Sequence, residues 1–294
     1  MKTITIRIDD KLHGRRIKYL LRNHLGMSAA LVKRLKNAQD GIMLDGRRVF
    51  VTEQVASGQE LVLNVYDEAS ENIEPVEMPL DIIYEDDDII ALNKPRAMPT
   101  HPSQNHHADT LANGVMYYFR SSDFTFRVIT RLDRDTSGVV LVAKNALSAQ
   151  RLSDDIKNKR ISKVYTAAVN GVPEPAYGRI SAPVKRADNS AILRCVAPGG
   201  KESVTEYEVQ KTLAGISLVT LKPLTGRTHQ LRVHMSYIGT PIYGDDMYGA
   251  PQINERTRLH CASVSFVHPM TKENITVEAP VPEDIRELFE NFNN

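Results

Sequence analysis

The chain has 294 residues, 41% of them hydrophobic and 25% charged, and its 37 Lys and Arg nearly cancel 36 Asp and Glu. That is the balance of an ordinary globular protein, long enough for one large domain beside a small one. No run approaches the ~18 apolar residues of a membrane span, the alternating start Met1–Arg7 reads as a strand and not as a signal peptide, and the isolated Cys195 and Cys261 form neither a disulfide framework nor a zinc ligand set, so the expected location is cytoplasmic.

Charge is uneven along the chain: residues 1–66 carry a net +6, residues 67–88 hold ten acids and no base, and the remainder carries +5. A basic module ahead of an acidic tether implies a polyanionic partner that the tether does not touch. Over residues 13–24, Ile17, Leu20, Leu21 and His24 recur at helical spacing, with Arg15, Arg16, Lys18 and Arg22 on other faces. Ser28 is placed to cap a second helix that turns Leu31, Val32 and Leu35 inward and Lys33, Arg34 and Lys36 outward. Gly41–Leu44 and Leu61–Tyr66, with the turn pairs Asp45-Gly46 and Ser57-Gly58, read as short strands. Residues 1–66 resemble the small RNA-binding domain named after ribosomal protein S-four. The resemblance implies RNA contact through Arg15, Arg16, Lys33, Arg34 and Lys36. Residues 67–79 are acidic, contain Pro75 and Pro79 and lack periodic apolar positions, so they read as a flexible linker.

Strand-like runs dominate residues 80–294: Ile89–Leu92, Val139–Ala143, Tyr165–Val169, Thr205–Val209, Ile216–Leu221 and Ile275–Glu278. Helical patterns at Thr110–Arg120, Ala146–Lys157 and Thr228–Tyr237 separate some of them. The spacing lacks regular βαβ alternation, which predicts an α+β domain with a mostly antiparallel mixed sheet.

Before the apolar run Val139–Ala143, the stretch from Thr130 to Gly138 crowds Arg131, Asp133, Arg134 and Asp135 together. Opposite charges within a few Å lower a carboxyl pKa by roughly 1 to 3 units and keep the acid ionised. The plain alternative is a turn capped by an aspartate with solvated arginines around it. Arg-Leu-Asp-x-x-Thr-Ser-Gly followed by a Val-rich strand resembles the catalytic signature of the RluA-type RNA pseudouridine synthases. Three further segments match in order: Tyr84–Pro95, Lys163–Gly171 and Thr225–Met235. Two positions depart from the family pattern, Thr130 where it usually has His, and Arg96-Ala97 where it usually has a small residue and Gly. The resemblance implies Asp133 as the essential carboxylate, attacking a carbon or removing a ribose proton. It further implies Tyr165 in the active site, stacking on the base or handling a proton, and Arg131 in the space left by a flipped nucleotide. Arg227, ahead of a helix capped by Thr228 and ended by Gly239, is expected to neutralise Asp133, with Arg232 as the second choice.

The reading is thus an RNA pseudouridine synthase that isomerises uridine, with no cofactor or metal, working as a monomer away from membranes. Large-subunit ribosomal RNA is the expected substrate, transfer RNA the alternative, and a non-catalytic RNA-binding or ribosome-assembly factor the rival of another class. Glycoside hydrolysis needs two carboxylates in separate roles and aromatic sugar platforms, which a chain with no Trp supplies thinly. Nine histidines do not make a metal site by spacing, since His229 and His234 lie roughly 140° apart around a helix. His101, His106, His107 and the His260-Cys261 pair likewise lack partners at ligand spacing.

Overall fold

The computed structural model describes residues 2–66, 73–249 and 256–290. The N-terminal part runs β1 (Lys2–Arg7), α1 (Ile17–Tyr19), α2 (Ala29–Asn37), β2 (Ile42–Leu44), β3 (Arg47–Arg48) and β4 (Glu60–Val65). Its strands form an antiparallel sheet in the order β1-β4-β2-β3. Ile17, Leu20, Leu21, Leu31, Val32 and Leu35 pack with Ile42, Leu44, Leu61, Leu63 and Val65 in one core. Ser28 caps α2 as expected, its hydroxyl accepting from the Leu31 N–H at 3.2 Å. The helix expected over 13–24 begins only at Ile17, because residues 9–14 turn back on themselves through Leu12 N–H to Asp9 and a left-handed Gly14. α1 then widens into a π-helical turn, Leu20–His24, which leaves His24 exposed instead of inward.

The remaining strands are β5 (Ile82–Glu85), β6 (Ile89–Lys94), β7 (Arg127–Val128), β8 (Ser137–Ala143), β9 (Ser162–Asn170), β10 (Tyr177–Ser181), β11 (Val184–Arg186), β12 (Arg194–Val196), β13 (Val204–Leu213), β14 (Ile216–Pro223), β15 (Leu259–Val267) and β16 (Asn274–Glu278). Helices α3 (Leu111–Tyr118), α4 (Ala146–Lys157), α5 (Gln230–Tyr237) and α6 (Glu283–Glu290) complete the set. β11 and β12 pair separately, and the others build a ten-stranded sheet along β10-β13-β14-β9-β15-β8-β6-β5, with β16 on β15 and β7 on β8. The short β8–β15 contact is parallel and every other pairing in this sheet is antiparallel, as an α+β chain without βαβ repeats requires. All seven residues of β8 are buried, so the run Val139–Ala143 reads as continuous hydrophobicity instead of alternation.

Two expectations need correction. Thr228 does not cap α5: the N-cap is His229, in a left-handed conformation (φ 55°) with no side-chain cap bond. Gln230 instead braces the loop ahead of α5, its Oε1 accepting from the Arg227 N–H at 3.1 Å and the Thr225 hydroxyl at 2.8 Å. Residues 67–72 of the expected flexible linker lie outside the described residues. Residues 73–79 lie against α3, because Ile73 is buried in the large core, Val76 N–H donates to Asn113 O and the Asn113 amide donates to Glu74 O. An apolar anchor with two backbone bonds overrides the acidic, proline-bearing composition.

Candidate active site

The loop ahead of β8 is fastened from three sides. At its start, Thr130 is buried and its hydroxyl accepts from the Leu141 N–H at 2.9 Å, tying the loop back to the strand it feeds. In the middle, the Thr100 hydroxyl donates to Leu132 O at 2.8 Å. Lys94, fully buried at the end of β6, donates to the carbonyls of Pro95, Met98 and Arg134 at 2.9, 2.7 and 3.1 Å. At its end, Gly138 takes φ 109°, and a Cβ there would stand 2.2 Å from the Cys261 carbonyl oxygen. Only glycine lets β8 pass this close to β15.

A turn closed by Thr136 N–H to Asp133 O then sets Asp133 at the wall of a cleft of about 540 Å³, together with Arg131, Lys163, Tyr165, Arg227 and His229. This volume suits a flipped nucleotide. The Asp133 side chain is half-buried and makes no hydrogen bond or ion pair among the described residues. Its charge nevertheless acts on Lys94, Lys163, Tyr165, His229, Arg232 and Tyr248, so it is the shared electrostatic partner of the cleft.

Tyr165 stands in β9 beside Cys261 of β15, and burial raises its hydroxyl well above the usual tyrosine range. The ring therefore stays a neutral proton donor with an apolar face. Burial also drives Cys261 up to about 12, and lowers Lys163, although Cys261 and Asp133 favour its charged form. His229 is lowered by burial against the opposing pull of Asp133, and its Nδ1 lies 2.6 Å from the Tyr248 hydroxyl.

The arginines part company. Arg227 is exposed at the cleft rim and its Nε donates to Glu202 O at 3.1 Å; among the described residues it makes no ion pair with Asp133. Arg232 is buried and grips both oxygens of Asp245 at 2.6 and 2.7 Å, a bidentate pair. It is thus committed elsewhere, although the Asp133 charge reaches it. Arg131 is exposed on the cleft wall, and Arg134 pairs with Asp135 at the surface. Arg15, Arg16, Lys33 and Lys36 are exposed and Arg34 half-buried on the N-terminal module, with Arg15 4.9 Å over the Tyr19 ring.

Lys163, Thr100, Lys94, His229 and Tyr248 were not singled out as site residues in the sequence. Lys163 had a signal, since it sits two residues before Tyr165 and so on the same strand face. His229 and Lys94 lie inside the segments Thr225–Met235 and Tyr84–Pro95, whereas Thr100 and Tyr248 arrive from outside every motif. Of the two departures, Arg96 is ion-paired with Asp284 at the start of α6, which Arg258 also meets at 3.1 Å. Ala97 holds the left-handed φ of 59° that a glycine would take without strain.

Asp86, Asp88 and His268 bring ligand-type atoms within 4.8 Å of one another on the far side of the sheet. Asp88 accepts from Asn145, Ser148 and Lys2, and His268 Nδ1 accepts from the Thr271 N–H at 2.9 Å. His268 Nε2 lies 3.0 Å from Asp86 and makes no hydrogen bond among the described residues.

The cleft thus gathers the Asp133 carboxylate, the buried Tyr165 and the cations Arg131, Lys163 and Arg227 on a mostly antiparallel α+β sheet. The family model for RNA pseudouridylate synthase matches residues 88–237, and the chain belongs to that family. It is 37% identical over 273 residues to the uncharacterized RNA pseudouridine synthase YjbO of Bacillus subtilis, covering 92% of this chain and 96% of the relative. It is 35% identical over 254 residues to ribosomal large subunit pseudouridine synthase D of Vibrio parahaemolyticus, covering 81% and 78%. The solved structure of human RNA pseudouridylate synthase domain containing 1 superposes with a TM-score of 0.58 at 32% identity, covering 71% of this chain and 86% of that one. The chain is an RNA-modifying isomerase, and no helix among its described residues is long and apolar enough to cross a membrane.

Proposed function

We propose that the enzyme converts uridine to pseudouridine in large-subunit ribosomal RNA, with Asp133 as the essential carboxylate. The observation that carries the catalytic part is that Asp133 makes no hydrogen bond or ion pair among the described residues, although its charge acts on Lys163, Tyr165, His229 and Arg232 of the cleft and on Lys94 and Tyr248 behind it. A carboxylate left open in a cationic cleft is available to substrate. The uridine leaves its stack, the N1–C1′ bond breaks, the uracil turns, and a C5–C1′ bond forms while a proton leaves C5 and one returns to N1. Composition is conserved, so no redox equivalent is required. Tyr165 offers a ring face for the base and a hydroxyl for the departing C5 proton. Arg131 fills the gap left in the RNA stack. Arg227, within the cleft lining, swings from Glu202 O to the substrate phosphate or to Asp133 when RNA enters. The ribosomal choice is supported by the similarity to large-subunit synthases.

Residues 1–66 act as an RNA-binding module of the S-four type, touching phosphates through Arg15, Arg16, Lys33, Arg34 and Lys36. The test is release of tritium from uracil C5 in labelled large-subunit ribosomal RNA and in labelled transfer RNA. Release from the first and not the second is expected; release from transfer RNA alone would move the substrate assignment. Replacing Lys33 and Lys36 by Ala should reduce the slope of log affinity against log salt by roughly 0.7 to 0.9 per lost phosphate contact.

A further inference from the structure

The core of the N-terminal module is completed by the other part of the chain: Ala146 and Leu147 of α4 are buried among Ile17, Leu20 and their neighbours, and Met270 packs against the same cluster. Polar contacts flank this seam. Gln150 Oε1 accepts from the Ser28 N–H at 2.7 Å, and its Nε2 donates to Gly26 O at 2.7 Å. Arg151 donates from one nitrogen to Leu25 O at 2.9 Å and from the other to Pro269 O at 2.8 Å. Lys2 reaches Asp88 at 3.1 Å. Ser28 is also the cap of α2, the helix that carries Lys33, Arg34 and Lys36. The other end of α4 brings Ile156 to the wall of the Asp133 cleft. Nine residues separate Leu147 from Ile156, a rise of roughly 13 to 14 Å along one unbroken helix.

We propose that α4 is a strut that holds the basic module and the uridine cleft at one separation, with Gln150 and Arg151 as positioning residues that select which uridine reaches Asp133. RNA anchored on α2 then meets the cleft at a fixed offset, because the grip on Ser28 and Gly26 leaves the module no independent swing. The inference rests on the module being the RNA anchor.

Spin labels at Lys11→Cys and Glu208→Cys, in a Cys195→Ser background, report the separation of the two parts by pulsed electron resonance. The intact joint should give a single narrow distance, and Gln150→Ala combined with Arg151→Ala a broad one; a broad distribution in the unaltered joint overturns the strut. Pseudouridines are then mapped in large-subunit ribosomal RNA by carbodiimide treatment and primer extension. The double variant should raise KM about tenfold and spread modification to neighbouring uridines, while kcat on a short uridine hairpin stays unchanged. Gln150→Ala alone leaves the Arg151–Leu25 contact intact and should give the same direction at smaller size. An unaltered modification map in a variant with broadened distances would overturn the positioning role. Narrow distances together with RNA affinity indifferent to Lys33→Ala and Lys36→Ala would remove the RNA-anchor reading and leave the rigid joint standing.

Discussion

Asp245 is fully buried with both oxygens held by Arg232, whereas Asp133 stands half-buried at the cleft wall with neither oxygen bonded among the described residues. Both are aspartates in arginine-rich surroundings, and the fold spends them differently. The Asp245 pair closes the α5 region by satisfying itself; a desolvated pair of this kind is costly to break because the survivor keeps its burial and loses its partner. Asp133 is held in place through its backbone, by the bonds of Thr130, Thr100 and Lys94 to the loop, which leaves its carboxylate open. Charge density in a sequence therefore does not distinguish structure from chemistry. What distinguishes them is whether the side chain or the main chain makes the bonds.

The sharpest challenge to this contrast is a matched pair of substitutions. Asp133→Asn should lower tritium release by about 10²- to 10⁴-fold with an unaltered thermal midpoint, while Asp245→Asn should cost about 3 to 5 kcal/mol of stability. Calorimetry and turnover on the same RNA read both, and an Asp133→Asn protein with full turnover would end the catalytic assignment. Gly138→Ala comes next, since it forces a Cβ against the Cys261 carbonyl at a φ that side chains avoid. It should cost about 3 kcal/mol, seen as a shift in the denaturant midpoint, and a neutral result would mean that β8 and β15 can part cheaply.

Arg227→Met tests the other side of the comparison. The residue is exposed and among the described residues its side chain bonds only Glu202 O, so stability should change by less than about 0.5 kcal/mol. Turnover should fall about tenfold or more if the guanidinium engages substrate or Asp133; unchanged turnover would point to Lys163 as the working cation.

A pH effect concerns Lys94, whose burial pulls it from 10.5 down to about 7 against the attraction of Asp135 and Asp133. Because the folded value lies below the unfolded one, unfolding takes up a proton between those two pH values. Stability should therefore rise as pH climbs from about 7 toward 10.5, and Lys94→Met should flatten that rise. Denaturant midpoints at pH 6, 7.5 and 9 measure it, and a pH dependence identical in wild type and Lys94→Met would mean that the three carbonyls keep the ammonium charged.

Features that repeat within a few residues were open to reading in the sequence. The buried run of β8, the bounds of α4, the Ser28 cap and the Gly239 stop follow from hydrophobic period and terminal chemistry, and the structure keeps all four. The motif from Arg131 to Gly138 pointed to the loop through its resemblance to a family signature, and Arg131, Asp133, Tyr165 and Arg227 share one cleft.

Contacts between distant segments were not open to reading. Nothing near Arg232 announces Asp245, nothing near Arg227 directs it to Glu202, and nothing in α4 shows that Gln150 will grip Ser28. Nor does an acidic, proline-bearing stretch reveal that Ile73 will be buried. The amino-acid sequence by itself determined the α+β elements, because those depend on backbone preference and local periodicity, while its resemblance to a known family pointed to the loop that carries Asp133. Which cation meets which acid, and how the two parts of the chain are joined, was decided only when the ten-stranded sheet brought those segments within hydrogen-bonding range, where geometry and desolvation select one partner from many of the same type.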